Sequence, residues 1–253
     1  MSAKTTRKRL DILMVERGLA DSRQKAQAMI LAGEVELDGR KAEKAGQSVA
    51  DTAQVEVRSR LQKYVGRGGF KLAGALEDLQ VSADGRVCLD VGSSTGGFTD
   101  CLLQHGAARV YAVDVNTDQL AWKLREDPRV IPIKKNAREL TALDLRESVD
   151  LIVLDVSFIS LTKVLPGACS CAKPMADLLM LVKPQFELER GDVAKGGIVR
   201  EAALHQKAIA KVTAAAQALG LTVPASAPSR LPGMEGNQEY FLHARKVSKV
   251  ESA

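Results

Sequence analysis

The chain has 253 residues and a mass of 27.1 kDa, room for one α/β domain of common size plus a small appended module. With 45% hydrophobic and 26% charged residues, it contains no run of the roughly 18 apolar residues a membrane span needs, and its start (Lys4, Arg7, Lys8, Arg9) leads into no signal-like apolar core, which points to a soluble cytoplasmic protein. The net charge of +5 is uneven: residues 1–71 hold 15 Lys and Arg against 9 Asp and Glu, while the rest hold 21 against 22, so the basic excess belongs to the N-terminal segment.

In chain order, Leu10, Leu13 and Met14 make a helical stripe ending at Gly18, and Asp21 or Ser22 caps a second helix that carries Ala26, Met29 and Ile30 and closes at Gly33. Val35 and Leu37 alternate with charges up to the turn Asp38-Gly39, and Val55 and Val57 alternate again, so a small β unit follows. The cations Arg7, Lys8, Arg9, Arg23, Lys25, Arg40, Lys41 and Lys44 come from separate elements, as in a surface that neutralises several phosphates. Scattered cations also serve solubility alone. The runs Arg9-Leu10-Asp11, Ser22-Arg23-Gln24-Lys25-Ala26 and Ala32-Gly33-Glu34-Val35-Glu36-Leu37-Asp38-Gly39 resemble the αL-type RNA-binding domain of a small-subunit ribosomal protein and of many pseudouridine synthases. That resemblance implies that the basic set, with Arg67 beyond it, grips RNA. With 4% aromatic residues, recognition is expected to rest mainly on phosphates and RNA shape.

The expected organisation is therefore an N-terminal domain at 1–58, a polar linker at 59–67, a second domain at 68–247 and a tail at 248–253. In the second domain, strands are expected at Arg86 to Val91, Arg109 to Asp114, Val130 to Lys134, Asp150 to Asp155 and Leu178 to Lys183, with helices between them, which makes a parallel sheet with crossover helices. A helix from Glu201 to Leu219, a short strand from Leu221 to Pro224, a turn-rich loop from Ser226 to Asn237 and a last strand from Glu239 to Arg245 complete it. The final pair can join the sheet as a hairpin, antiparallel to the rest.

A glycine-rich run, Gly92-Ser93-Ser94-Thr95-Gly96-Gly97, lies between the first strand and a helix, where backbone N–H groups approach a nucleotide-like ligand. Ser94 stands where the dinucleotide fingerprint needs its second glycine, which disfavours a dehydrogenase. Asp90 at the strand end suits an amino-bearing ligand. Asp114, at the end of the next strand, suits a ribose diol. S-adenosylmethionine has all these parts.

Four ionisable residues far apart in sequence, Lys71, Asp155, Lys183 and Glu239, converge on that same edge. Asp155 and Lys183 end parallel strands, Glu239 begins a reversed one, and Lys71 sits in the first turn of a helix whose buried stripe is Leu72, Leu76 and Leu79. Each alone reads as a solvated terminus. Gly92-Ser93-Ser94-Thr95-Gly96 also spells the nucleophile elbow of α/β hydrolases, with Asp155 and His243 in the right order, but no His-Gly-Gly motif precedes it and His243 lies inside a strand. His105 and His205 read as helix-surface residues; Cys88, Cys101, Cys169 and Cys171 read as reduced packing residues, and no metal constellation is evident.

The runs Val65-Gly66-Arg67-Gly68-Gly69-Phe70-Lys71-Leu72, Leu89-Asp90-Val91-Gly92, Gly96-Gly97-Phe98-Thr99-Asp100, Tyr111-Ala112-Val113-Asp114-Val115, Leu120-Ala121-Trp122-Lys123-Leu124-Arg125, Asp155-Val156-Ser157-Phe158-Ile159-Ser160, Leu181-Val182-Lys183-Pro184-Gln185-Phe186-Glu187 and Lys195-Gly196-Gly197-Ile198-Val199-Arg200 resemble the TlyA, or haemolysin A, family of ribosomal RNA 2′-O-methyltransferases, whose catalytic domain is FtsJ-like. One departure is Asn116-Thr117-Asp118-Gln119, where glycines and an aromatic are expected beside the cofactor ribose. The resemblance implies a Rossmann-like methyltransferase sheet behind a small α+β RNA-binding domain, and a K-D-K-E tetrad of Lys71, Asp155, Lys183 and Glu239. It also implies S-adenosylmethionine held by Asp90, Gly92, Ser93, Ser94, Thr95, Gly96, Gly97, Phe98, Asp114 and Asn136. The substrate is then a ribose, a cytidine by analogy, in ribosomal RNA or a ribosomal subunit, without metal or membrane. A non-catalytic assembly factor keeping the fold is the alternative. A membrane-acting haemolysin, suggested by the older name, finds no spanning segment or amphipathic membrane helix in the chain.

Overall fold

The computed structural model describes residues 6–20, 22–31, 33–57, 63–189, 191–193, 196–233 and 235–247. Asp21, Lys195, linker residues 58–62 and the tail 248–253 lie outside them. The chain divides into two compact units, one ending at Lys63 and one beginning at Tyr64.

The first unit runs β1 (Arg7–Arg9), α1 (Leu10–Glu16), α2 (Arg23–Leu31), β2 (Val35–Leu37), β3 (Arg40–Lys41), β4 (Ser48–Ala50) and β5 (Val55–Val57). Leu10, Leu13 and Met14 of α1 bury against Ala26 and Ile30 of α2 and Val35 of β2, a core of small total area. Ser22 Oγ accepts from the Lys25 N–H at 3.2 Å, which makes it the cap of α2. Asp38 and Gly39, both at positive φ, turn β2 into β3, as a tight hairpin requires. The β1–β4 pair was not expected: β1 is three cations long, too short and too charged to show alternation.

The second unit runs α3 (Arg67–Asp78), β6 (Val87–Val91), α4 (Gly97–Gln104), β7 (Arg109–Asp114), α5 (Trp122–Arg125), β8 (Val130–Lys134), β9 (Val149–Leu154), α6 (Leu165–Ser170), β10 (Ala172–Val182), α7 (Pro184–Glu187), α8 (Ala202–Ala218), β11 (Leu221–Pro228) and β12 (Tyr240–Lys246). Its seven-stranded sheet has the order β11-β12-β10-β9-β6-β7-β8. Alternate residues of each strand feed two cores: Leu89, Val91, Ile152, Met180 and Leu242 pack on one face with α8, and Cys88, Val110, Val153, Leu181 and Phe241 on the other with α3 and α4. Leu72 of α3 is fully buried, so Leu72→Ala would cost about 2–5 kcal/mol.

The last strand is the reversed one, as expected, whereas three details about strands need correction. Only β12 is antiparallel to its neighbours; β11, on the outside, runs the same way as the parallel strands. β10 begins at Ala172, six residues before the expected start, because a register shift between Ala172 and Asp177, with Met175 at φ 63°, hides its strand pattern. β11 also continues past Pro224 to Pro228, which an edge strand tolerates.

Candidate functional site

At the carboxyl edge of the sheet, the strand order reverses between β6 and β9, and this is where an open α/β sheet leaves a crevice. Gly92 leaves β6 at φ 89°, and a Cβ there would stand 2.4 Å from the Asp155 carbonyl oxygen, so the chain crosses β9 as only glycine allows. Gly96 caps α4 at φ 94°. Gly97 packs against the backbone of Gly68 and Gly69, which brings the first turn of α3 onto α4.

The four expected charges form two ion pairs. Lys71 Nζ lies 2.5 Å from Glu239 Oε2, and Lys183 Nζ lies 2.6 Å from Asp155 Oδ1. Register brings the pairs together: Val182 is the antiparallel partner of Tyr240, so the next residue on β10's path, Lys183, borders the one before β12, Glu239. Lys71 and Glu239 are buried, as is Lys183, while Asp155 keeps about a fifth of its side chain exposed. Lys71 therefore shares the buried side of α3 rather than standing free of it.

Ser157, which the sequence reading left without a role, accepts a hydrogen bond from Lys183 Nζ at 2.7 Å. An ammonium has three N–H donors. Ser157 takes one of them, while Asp155 holds the lysine by charge, its Oδ1 in ion-pair distance but without a hydrogen bond, so N–H donors remain for a further acceptor. The loop that carries Ser157 is in turn held by buried Glu187, which accepts from Ser160 Oγ at 2.5 Å and from the Leu161 N–H at 2.7 Å. On the other side Asn237 accepts from the Val199 N–H (2.8 Å) and donates to the Gly197 carbonyl (2.9 Å), fixing the glycine turn of residues 196–199 beside the start of β12. A hydroxyl two residues past a strand-end acid was the only sequence signal for Ser157. Glu187 and Asn237 gave none.

The residues expected to receive a cofactor divide by position. Asp90 is fully buried; its Oδ2 accepts from Thr99 Oγ1 at 2.6 Å, and its Oδ1 has no hydrogen-bond partner. Burial, ahead of the nearby Asp155 charge, pushes its carboxyl up to about 7. Ser93 Oγ is likewise buried and unpartnered. Two orphaned polar atoms beside a glycine loop fit an amino-bearing ligand such as the methionyl end of S-adenosylmethionine. Asp114 accepts from the Ser94 N–H (2.9 Å), the Asn116 N–H (3.0 Å) and Gln119 Nε2 (3.1 Å), which fixes its carboxylate and leaves lone pairs for a diol. Ser94 and Thr95 are exposed on the same loop, and Asn136 caps the turn that follows β8 on this edge. Phe98 differs from expectation: it is a core residue, stacked at 6.1 Å on Phe241.

The hydrolase alternative does not assemble. Asp155 is bound to Lys183, and His243 Nε2 lies 2.8 Å from Asp177, which Arg86 and Arg245 also hold. His205 is not a helix-surface residue: it is buried, bonded to the Val199 carbonyl and to the Tyr240 hydroxyl. The four cysteines are buried and free, and burial pushes the Cys88 thiol up to about 12 and that of Cys169 up to about 11. Among the described residues no helix is long and apolar enough to cross a membrane.

In the first unit the expected basic residues split. Strand alternation puts Arg7 and Arg9 on the outer face of β1, whereas Lys8 lies opposite buried Val49 and pairs with Glu16 at 2.6 Å. Arg7 donates to Ser48. Arg9 and Arg23 both bind Asp11. Lys25, Arg40, Lys41 and Lys44 are exposed, and Arg67, in the second unit, is exposed at the start of α3.

A seven-stranded sheet with a single reversed strand, a glycine loop after β6 and an acid at the end of β7 is the Rossmann-like fold of the S-adenosylmethionine-dependent methyltransferases. Comparison with known proteins narrows the class. Residues 64–246 match the FtsJ-like methyltransferase family and residues 8–55 match the S4 domain. Over 241 residues the chain is 48% identical to the 16S/23S rRNA (cytidine-2′-O)-methyltransferase TlyA of Mycobacterium tuberculosis, covering 94% of this chain and 90% of that one. It is 42% identical over 237 residues to Hemolysin A of Brachyspira hyodysenteriae, covering 93% and 98%. A solved structure of a Streptococcus thermophilus protein named for hemolysin superposes with a TM-score of 0.76 at 37% identity, covering 97% of this chain and 90% of that one. The chain belongs to the FtsJ-like methyltransferase family, in its TlyA or haemolysin A branch, with an S4 domain ahead of the methyltransferase domain.

Proposed function

We propose that this protein methylates a ribose 2′-hydroxyl of ribosomal RNA, using S-adenosylmethionine, with a cytidine as the target nucleotide. The observation that carries the reading is the pair of lysine–carboxylate contacts, Lys183 with Asp155 and Lys71 with Glu239, next to a glycine loop with two orphaned polar atoms. When bound, S-adenosylmethionine supplies a methyl group on a sulfonium centre. The chain's own task is to make a poor nucleophile react. A 2′-hydroxyl gains negative charge as it attacks, and Lys183, held by Asp155 and Ser157, acts in one of two states: as an ammonium it stabilises that oxygen through a free N–H, and as a neutral amine it takes the hydroxyl proton on its lone pair. Burial of the lysine strengthens the interaction by excluding water. Glu239 holds Lys71, which places the nucleotide or shares the charge. The exposed cations of the S4 domain grip the RNA, and the names of relatives that carry cytidine support the choice of nucleotide. This reading puts the protein with ribosomes in the cytoplasm.

The test is transfer of radiolabelled methyl from S-adenosylmethionine to purified small and large ribosomal subunits that lack the modification, with Lys183→Ala as control. Label should enter RNA at an alkali-resistant 2′-O position and vanish in the variant, whose cofactor binding should be unchanged. Cofactor binding by the wild type without label in either subunit would overturn the proposal.

A further inference from the structure

One buried carboxylate holds two cations of the S4 domain, Arg9 and Arg23. Asp11, in the first turn of α1, is fully buried, yet it accepts from Arg9 Nε at 3.0 Å and Nη2 at 2.9 Å, from Arg23 Nε at 3.0 Å and from Gln27 Nε2 at 2.7 Å. The two arginines come from different elements and keep 45% and 54% of their side chains exposed. The Arg9 guanidinium also lies on Gly46, where a Cβ would stand 3.1 Å from both of its terminal nitrogens. A guanidinium carries five N–H donors. Asp11 takes two from Arg9 and one from Arg23, so both half-exposed side chains keep further donors.

We infer that Asp11 is a positioning residue for RNA binding, clamping Arg9 and Arg23 into one preset pair that receives a phosphate of the RNA backbone. The inference rests on the RNA-binding reading above and deepens it. An unclamped arginine gives up its rotamer freedom when it binds, whereas a clamped one has given it up on folding. Its planar fork then meets phosphate in a fixed orientation. The Arg9 hydrogen bond first, then those of Gln27 and Arg23, hold the Asp11 carboxyl well below the usual carboxylate range, so the clamp is ionised wherever RNA binds. Lys8, on the other face of β1 and paired with Glu16, lies outside it.

The clamp and simple charge counting predict opposite signs. Removing a negative charge beside phosphate-binding arginines should tighten RNA binding by Coulomb's law; removing a clamp should weaken it. The experiment measures the affinity of the full-length protein for purified ribosomal subunits at one moderate salt concentration. Asp11→Asn should weaken binding by about fivefold or more in the wild-type background and have no such effect when Arg9→Ala and Arg23→Ala are already present. Arg9→Lys, which keeps the charge and loses the fork, should weaken binding similarly, and Lys8→Ala should change it less than about twofold. Unchanged or tighter binding by Asp11→Asn overturns the clamp, as does unchanged binding by Arg9→Lys. Equal weakening in both backgrounds makes Asp11 part of the scaffold only. Wild-type protein that binds neither subunit overturns the RNA-binding reading itself, and the clamp with it.

Discussion

Asp90 is legible in the sequence as a residue, but its burial is not. Its place at the end of β6, ahead of a glycine loop, marks it from sequence, but the strand buries it completely, and its single partner is Thr99. A carboxyl with a folded-state pKa of about 7, against ~3.9 when unfolded, has a definite effect on stability. Between those two values the unfolded state releases the proton and the folded state keeps it, so stability falls as pH rises, and above about 7 the loss is constant. Asp90→Asn removes the ionisable group in a nearly identical shape. The variant should melt higher than wild type at pH 8, for a gain of up to ~4 kcal/mol, and should show no gain at pH 4. Thermal melts across that range check it; an equal gain at both pH values would assign the effect to packing. Cofactor affinity of the same variant measures whether the unpartnered Oδ1 is reserved for a ligand.

At the scale of elements, strand ends carry the site, and their sequence signals differ in kind. β6, β7 and β9 read plainly because a parallel strand buried on both faces is a nearly unbroken apolar run. From them, the convergence of Asp155, Lys183 and Glu239 followed by topology alone. What did not follow was whatever depends on loops. Ser157 and Glu187 act through a turn whose path no periodicity records, and β1 is recognisable only once β4 is beside it. The crossing at Gly92 is the strictest of these local demands. An alanine there needs both a left-handed backbone and room for a Cβ that would sit 2.4 Å from the Asp155 carbonyl oxygen. Gly92→Ala should therefore cost about 2–4 kcal/mol. Because the displaced strand is the one that ends in Asp155, cofactor binding and the Lys183 contact should be lost together. Urea unfolding and cofactor titration test this; full cofactor affinity in a destabilised variant would separate the loop from the site.

At the scale of the molecule, a basic unit and a nearly neutral one divide the work, and salt separates their contributions. Each phosphate neutralised by the protein releases counterions, so affinity falls with salt in proportion to the number of contacts. Eight cations were expected on the S4 domain from sequence. The structure reduces the effective set: Lys8 is paired with Glu16, and Arg9 and Arg23 share Asp11. With about four phosphates engaged, raising salt from 50 to 200 mM should weaken binding to ribosomal subunits roughly a hundredfold. Cofactor affinity, set by hydrogen bonds at the sheet edge rather than by phosphate contacts, should change little over the same range. A slope twice as steep would mean that RNA pulls the cations away from Asp11 and Glu16. A flat salt dependence would remove the basic face from recognition and leave shape and base contacts at the catalytic edge to select the RNA.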